Sequence, residues 1–166
     1  MKTKRLVFLA LLTAVALSIY LVEAQIPVPI PVAGVKLGLA NIVTLFALCM
    51  MGPWDALTVL LLRCFLGSLF SGQMVSFLYS VVGGILSWAV MLGMRRITTE
   101  RQIFIVSIVG SIFHNLGQIL VAMVVTGTPG ILYYLPVLLI SGIVAGAFTG
   151  IAAQYLMLHL NRLKIL

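Results

Sequence analysis

The chain has 166 residues, of which 63% are hydrophobic and only 8% charged, whereas about a quarter of the residues in a soluble domain are charged. This composition excludes a soluble or secreted enzyme and predicts a single transmembrane domain over residues 1–166. The formal net charge of +7 could suggest nucleic-acid binding, but the ten Lys and Arg lie in short clusters between apolar runs, which membrane topology explains better, so no nucleic-acid partner is expected.

The apolar runs, taken in chain order, predict an all-α integral membrane bundle of about six transmembrane helices. The first run ends before Glu23, and Pro27, Pro29 and Pro31 forbid a helix in the loop that follows. Gly and Pro residues also mark the turns before the third and sixth helices. The predicted helices span residues 6–22, 35–51, 54–71, 74–94, 102–125 and 132–159.

The basic residues predict the orientation of the bundle, because Lys and Arg accumulate in short loops on the cytoplasmic side. With six spans, three clusters share one side, so both termini are expected to be cytoplasmic. These clusters are Lys2, Lys4 and Arg5; Arg95, Arg96 and Arg101; and Arg162 and Lys164. An alternative is a cleavable secretory signal ending near Ala24, although its apolar stretch is longer than usual; cleavage would leave five helices.

Polar residues inside apolar runs are the first candidates for function, because they are costly in a bilayer. Arg63 lies near the middle of the third helix and needs a carboxylate, a carbonyl, water or a substrate anion as its partner. The fifth helix carries a polar stripe on one face, which should face the bundle interior or a wet cavity. A ligand site is favoured over hydrogen bonds between helices alone. The stripe consists of Ser107, Ser111, His114, Asn115 and Gln118.

A second group of polar residues is predicted at the non-cytoplasmic mouth of the bundle. Lys36, Asn41 and Tyr79 are candidate contacts for a small solute, together with the residues inside the membrane. Glu23 and Gln73 are candidates for a gate. The alternative for Glu23 and Lys36 is a simple position at interfacial depth, where charged side chains are common.

The candidate gate is therefore assigned to Glu23 and to Gln73, the glutamine that follows the Ser71-Gly72 turn. Both lie where predicted helices end or begin on the non-cytoplasmic side, so their side chains are expected close to the entrance for a solute.

Small residues at a spacing of four let helix backbones approach closely, and two predicted helices carry such lines. The line on the first helix suggests contact with a partner protein, and on the sixth helix at least one line is expected to pack internally. The first line is Ala10, Ala14 and Ser18; the sixth helix carries Gly142, Gly146 and Gly150 beside Ser141, Ala145, Thr149 and Ala153.

The chain lacks the residue patterns of the common enzymes. Its three acidic residues are Glu23, Asp55 and Glu100, in separate places, so no paired carboxylates are available for Mg²⁺ or acid–base catalysis. No phosphate-loop, GxSxG or HExxH motif occurs. Cys49 and Cys64 lie within apolar runs without nearby ligands. We therefore expect no catalytic residue, no metal site and no cofactor.

Three segments carry a resemblance to a known family: residues 35–42 (VKLGLANI), residues 52–55 (GPWD) and residues 113–118 (FHNLGQ). They resemble the Gx transporters, also called heptaprenyl diphosphate synthase component I, which are similar to S components of energy-coupling factor (ECF) transporters. The resemblance implies a six-helix bundle in the bacterial cytoplasmic membrane that binds a small vitamin-like solute from outside.

The resemblance also implies partners: a transmembrane coupling protein and two cytoplasmic ATPases. In S components an AxxxA line on the first helix contacts the coupling protein, and Ala10 and Ala14 match that pattern. The alternative is a non-catalytic accessory subunit of an isoprenoid synthase complex, since prenyl synthases need clustered aspartates that this chain lacks. A self-sufficient channel or ion-coupled carrier is disfavoured because no carboxylate lies in the middle of a predicted helix.

Overall fold

The computed structural model describes residues 2–26 and 36–162, apart from the side chains of residues 2, 100, 161 and 162. This part of the chain contains no strand, which confirms the all-α prediction, while the proline-rich loop lies outside it. Two short 3-10 turns, Glu100–Gln102 and Pro129–Tyr134, precede the last two helices. The α-helices are α1 (Lys2–Glu23), α2 (Asn41–Met50), α3 (Pro53–Ser71), α4 (Met74–Arg95), α5 (Ile103–Thr126) and α6 (Leu135–Arg162).

The second helix is much shorter than the sequence predicted. Residues 36–38 are non-helical, a turn follows, and α2 begins only at Asn41. Gly38 has a positive φ of 83°, and a Cβ atom there would lie 2.8 Å from Cδ2 of His114, so close packing against α5 requires this glycine. With 10 residues, α2 reaches about 15 Å, half of a hydrocarbon core of about 30 Å.

Of the six α-helices in the described residues, five are long and apolar enough to cross a membrane, and the prediction of about six spans stays a prediction. These candidate spans are Thr3–Glu23, Pro53–Ser71, Met74–Arg95, Ile103–Thr126 and Pro129–Leu160. The chain is a membrane protein in which α2 is an internal element between longer helices. The cytoplasmic position of both termini stays a prediction from the basic residues.

The glycine line of α6 packs inside the bundle, as expected for at least one of its lines. Added Cβ atoms on this line would come within 2.7 Å of atoms of α5. The glycines Gly142, Gly146 and Gly150 face Asn115, Ile108 and Phe104 in that order. Residue numbers increase along α6 while those of the contacted residues on α5 decrease. The two helices therefore run antiparallel and in close contact.

One end of the bundle collects the N-termini of α1 and α3. Arg5 of α1 donates two hydrogen bonds to Asp55 of α3, from Nε to Oδ2 at 3.0 Å and from Nη2 to Oδ1 at 2.5 Å. Trp88, in the second half of α4, donates from Nε1 to the carbonyl oxygen of Pro53 at 3.0 Å. The second half of α4 therefore lies beside the beginning of α3.

The main apolar core lies toward this same end, which we call the apolar half. Its centre is the body of α2, whose side chains are buried among residues of all the other helices. Apolar burial of this kind holds helices together through close packing. Its buried members include Leu12, Ala16, Leu45, Phe46, Leu48, Val59, Met91, Ile103, Val106, Ala153 and Met157.

Candidate functional site

Buried polar side chains from four helices and one connecting segment meet toward the opposite end, which we call the polar half. Each is at most 6% exposed. Buried polar groups in a bilayer normally form hydrogen bonds with one another. The partners of each side chain therefore indicate its role in the structure. This polar cluster comprises Glu23 of α1, Lys36 of the segment before α2, Asn41 of α2, Arg63 of α3, and His114 and Gln118 of α5.

Glu23 binds the backbone at the beginning of α2. Its Oε1 accepts a hydrogen bond from the backbone N–H of Gly38, and its Oε2 accepts one from Ala40 at 3.4 Å. Ala40 precedes α2 and provides no side-chain cap of its own. The carboxylate of α1 therefore caps α2 and lies where the helix dipole favours a negative charge. The predicted gate residue Glu23 is placed as a buried anchor.

Arg63 contacts the cluster through Asn41. Its Nη2 donates to Oδ1 of Asn41 at 2.8 Å, which connects the middle of α3 to the first residue of α2. In the described part of the chain, Nε of Arg63 and Nδ2 of Asn41 have no hydrogen-bond partner. The one ion pair within 4.0 Å among these residues is the Arg5–Asp55 pair at the other end, so Arg63 is not neutralised by direct contact with a carboxylate.

Gln118 connects α5 to the segment before α2. Its Oε1 accepts from the backbone N–H of Lys36 at 3.1 Å, and its Nε2 lies 3.0 Å from Nε2 of His114. The Gln118 amide donates this hydrogen bond when His114 is in the tautomer whose Nε2 carries no proton and can accept. The stripe predicted on α5 thus faces the interior, and its last residue, Gln118, forms a hydrogen bond with the non-helical segment.

Lys36 directs its ammonium group at an aromatic ring. Nζ lies 3.3 Å from the centroid of Tyr20 on α1, a cation–π contact, and has no hydrogen-bond partner among the described residues. The hydroxyl of Tyr20 bonds to Oγ of Ser76 at 3.1 Å. Gly67 makes room for the ring, because a Cβ there would lie 2.4 Å from Cε1 of Tyr20.

Tyr20 is a member of the site that the sequence analysis missed. The available signal was its position three residues before Glu23, which places both side chains on the same face of α1. Tyr20 is 2% exposed, so the end of α1 contributes two buried polar side chains to the polar half.

Other members of the α5 stripe bind α6 rather than the cluster. Asn115 donates from Nδ2 to the carbonyl oxygen of Leu138 at 2.6 Å, and its Oδ1 has no partner among the described residues. Ser107 bonds to the hydroxyl of Thr149 at 3.0 Å. These contacts fit the hydrogen bonding between helices that the sequence analysis weighed as the alternative to a ligand site.

The two remaining predicted residues lie outside the hydrogen-bonded cluster. Tyr79 is buried in a small apolar group with Ala122 and Ile131. Gln73 is exposed at the beginning of α4, where its side chain provides no helix cap. The structure therefore does not bring the two predicted gate residues together.

An apolar groove of about 630 Å³ adjoins the polar half. One wall of the groove is formed by Leu37 and Leu39, which alternate with Lys36 and Gly38 along the chain. The other wall is one face of α6. The segment thus separates the groove from the polar cluster. The lining residues are Leu37, Leu39, Val137, Ile140, Ser141, Val144, Ala145 and Phe148.

A comparison with protein families identifies the chain. The family model described as heptaprenyl diphosphate synthase component I matches residues 12–156. The chain belongs to this family. The finding confirms the resemblance drawn from the sequence, and the family is similar to the S components of ECF transporters. The matched residues include the whole polar cluster. Neither the curated proteins nor the solved structures contain a match to the chain.

Proposed function

We propose that this family member is the substrate-binding membrane subunit, or S component, of an ECF-type importer in the bacterial cytoplasmic membrane. It binds a small organic solute and has no catalytic activity of its own. A transmembrane coupling protein and two cytoplasmic ATPases are its partners, and the ATPases supply the energy. The observation that carries the proposal is the polar cluster, in which buried donors remain without acceptors.

The energetic cost of the cluster supports a role in binding. A buried donor without an acceptor costs about 1–3 kcal/mol, and more when it is charged. Lys36, Asn41 and Arg63 each contain such a donor atom among the described residues. A bundle that served packing alone would be more stable with apolar side chains there. A solute that supplies acceptors would remove the cost.

The surface of α1 supports docking on a partner. Ala10, Ala14 and Ser18 are all exposed in this chain. Small side chains allow a helix of another protein to approach the α1 backbone closely. The resemblance to S components implies that this line of small residues contacts the coupling protein.

The first experiment is affinity purification of the tagged protein in mild detergent, followed by mass spectrometry of proteins and small molecules. We expect a coupling membrane protein, ATPases and a retained metabolite. Recovery of a prenyl synthase without ATPases or a metabolite would contradict the proposal and support the accessory-subunit alternative.

The second experiment tests the α5 contacts. His114→Ala and Gln118→Ala should lower the amount of metabolite retained per protein molecule by about tenfold or more, while membrane insertion is preserved. Val124→Ala is the matched control, because Val124 lies on the same helix and is 83% exposed. Retention at the wild-type level in both variants would contradict a role for these residues.

The third experiment tests the partner surface. Replacing Ala10 and Ala14 with Leu should reduce co-purification of the coupling protein, because the larger side chains hold the helices apart. Ala152→Leu makes the same change at an exposed position on α6 and should have no effect. Unchanged co-purification of the α1 variant would refute this docking surface.

A further inference from the structure

The unpartnered atoms of Lys36, Asn41 and Arg63 are all hydrogen-bond donors. They are the ammonium Nζ of Lys36, the amide Nδ2 of Asn41 and the guanidinium Nε of Arg63. Each side chain is at most 6% exposed. Their common requirement is therefore an acceptor, and a ligand in this place must supply oxygen or nitrogen lone pairs.

The acceptors of the polar cluster are already engaged. Both oxygens of Glu23 bind backbone N–H groups, and Oδ1 of Asn41 binds Arg63. Oε1 of Gln118 accepts from the Lys36 backbone, and Nε2 of His114 is occupied by the Gln118 amide. Among the described residues, none of these acceptors forms a hydrogen bond with the three unpartnered donor atoms, so these atoms remain available to a ligand.

Charge leads to the same conclusion as the hydrogen bonds. Lys36 and Arg63 contribute two buried positive charges, and Glu23 contributes the single negative charge among the buried residues that the structure describes in the polar half. One positive charge is therefore uncompensated within a bilayer, where charge is costly. A single negative charge on the ligand would balance it, whereas two would leave an excess of negative charge.

We infer that the solute is an organic monoanion whose oxyanion group accepts hydrogen bonds from Lys36, Asn41 and Arg63. This inference rests on the proposed function, because it names the class of solute that the subunit binds. A carboxylate and a singly charged phosphate share the required chemistry. The Tyr20 ring holds the Lys36 ammonium in position without using its N–H groups, which stay available for the ligand.

The first test identifies the small molecule that denaturation releases from the purified wild-type protein. A carboxylic acid or a singly ionised phosphate supports the inference, and its mass and fragments distinguish the two sources. A neutral or cationic solute overturns the inference and leaves the proposed function intact. Absence of both a metabolite and the ATPases overturns the proposed function, and the inference with it.

The second test uses Lys36→Met, which removes the charge and keeps an apolar stem. We expect retention of the metabolite to fall by about tenfold or more. We also expect the solute-free variant to melt at or above the temperature of the solute-free wild type, because an uncompensated charge is gone. Wild-type retention, or a lower melting temperature, would overturn the assignment.

Two control variants accompany Lys36→Met. Lys36→Arg preserves the positive charge and should retain the metabolite within a few-fold of the wild type. Lys4→Met removes a charge at an exposed position of α1 and should change neither retention nor melting temperature. Loss of the metabolite in Lys4→Met would show that overall charge, rather than the cluster, controls binding, and would overturn the inference.

Discussion

The two ends of α2 lie in different environments. At its carboxyl end, Phe46 and Leu48 are buried in the apolar core. At its amino end, Asn41 accepts from Arg63, and the preceding backbone binds Glu23. The ten residues of α2 therefore connect the apolar core, which is stabilised by packing, with the polar cluster, which is stabilised by hydrogen bonds and charge.

Under the proposed function, the two halves differ in role: the apolar half contributes stability and the polar half binds the solute. The apolar half buries side chains that need no partner beyond close packing. The polar half retains donors without acceptors, which lowers stability but leaves groups available for a ligand. Substitutions in the two halves should therefore separate the melting temperature from the amount of metabolite retained.

The largest expected effect is that of Glu23→Gln, a residue of the polar half with a structural role. The variant keeps the size of the side chain but leaves two buried cations without a negative charge, which costs about 3–5 kcal/mol. The measurement is thermal unfolding of the solute-free protein in detergent. Gln25→Ala, at an exposed position beyond α1, is the control. An unchanged melting temperature would mean that the Glu23 cap contributes little.

Leu45→Ala tests the apolar half. Leu45 is fully buried at the centre of the core, so the cavity should cost about 2–5 kcal/mol in unfolding free energy. Retention of the metabolite per folded molecule should stay at the wild-type level. Leu120→Ala, at a position that is 53% exposed, is the matched control. Loss of the metabolite from folded Leu45→Ala protein would contradict the claim that the apolar half contributes to stability but not to binding.

Gly117→Ala tests the close contact of α4 and α5 beside the polar cluster. Its Cβ would lie 2.7 Å from Cα of Gly83, and the overpacking should cost about 1–3 kcal/mol. Retention should also fall, because the neighbouring Gln118 moves relative to Lys36. Gly93→Ala has no atom within 4 Å of its added Cβ and is the control. Equal melting and retention in both variants would contradict the close contact.

The smallest effect is expected for Asp55→Asn. The variant weakens the pair with Arg5, whose side chain is 62% exposed, so solvent and salt already screen the interaction. The melting temperature should fall by less than in the other three variants, and the difference should shrink at high salt. Metabolite retention should not change. A fall as large as that of Leu45→Ala would show that this pair joins the two helices strongly.

Two features of the fold could be predicted from periodicity and composition. Apolar runs interrupted by Pro and Gly predict the long helices, because a bilayer requires continuous apolar segments with satisfied backbones. The spacing of His114 and Gln118 placed them on one interior face of α5, which the structure confirms.

The beginning of α2 could not be predicted in the same way. The run from residue 35 is apolar enough for a helix, and nothing in its local pattern shows where Gly38 meets His114. That close approach depends on how α5 is placed. The cap that Glu23 provides similarly joins residues that are far apart in the chain.

By itself, the sequence determined the membrane class, the long helices and the list of polar residues within apolar runs, because these follow from local composition and spacing. The tertiary structure alone decided which of those residues meet. It showed that α2 begins at Asn41, that the Glu23 carboxylate caps this helix and that the Tyr20 ring contacts Lys36. The reason is physical: buried polar groups take their roles from the partners that packing brings within hydrogen-bond distance.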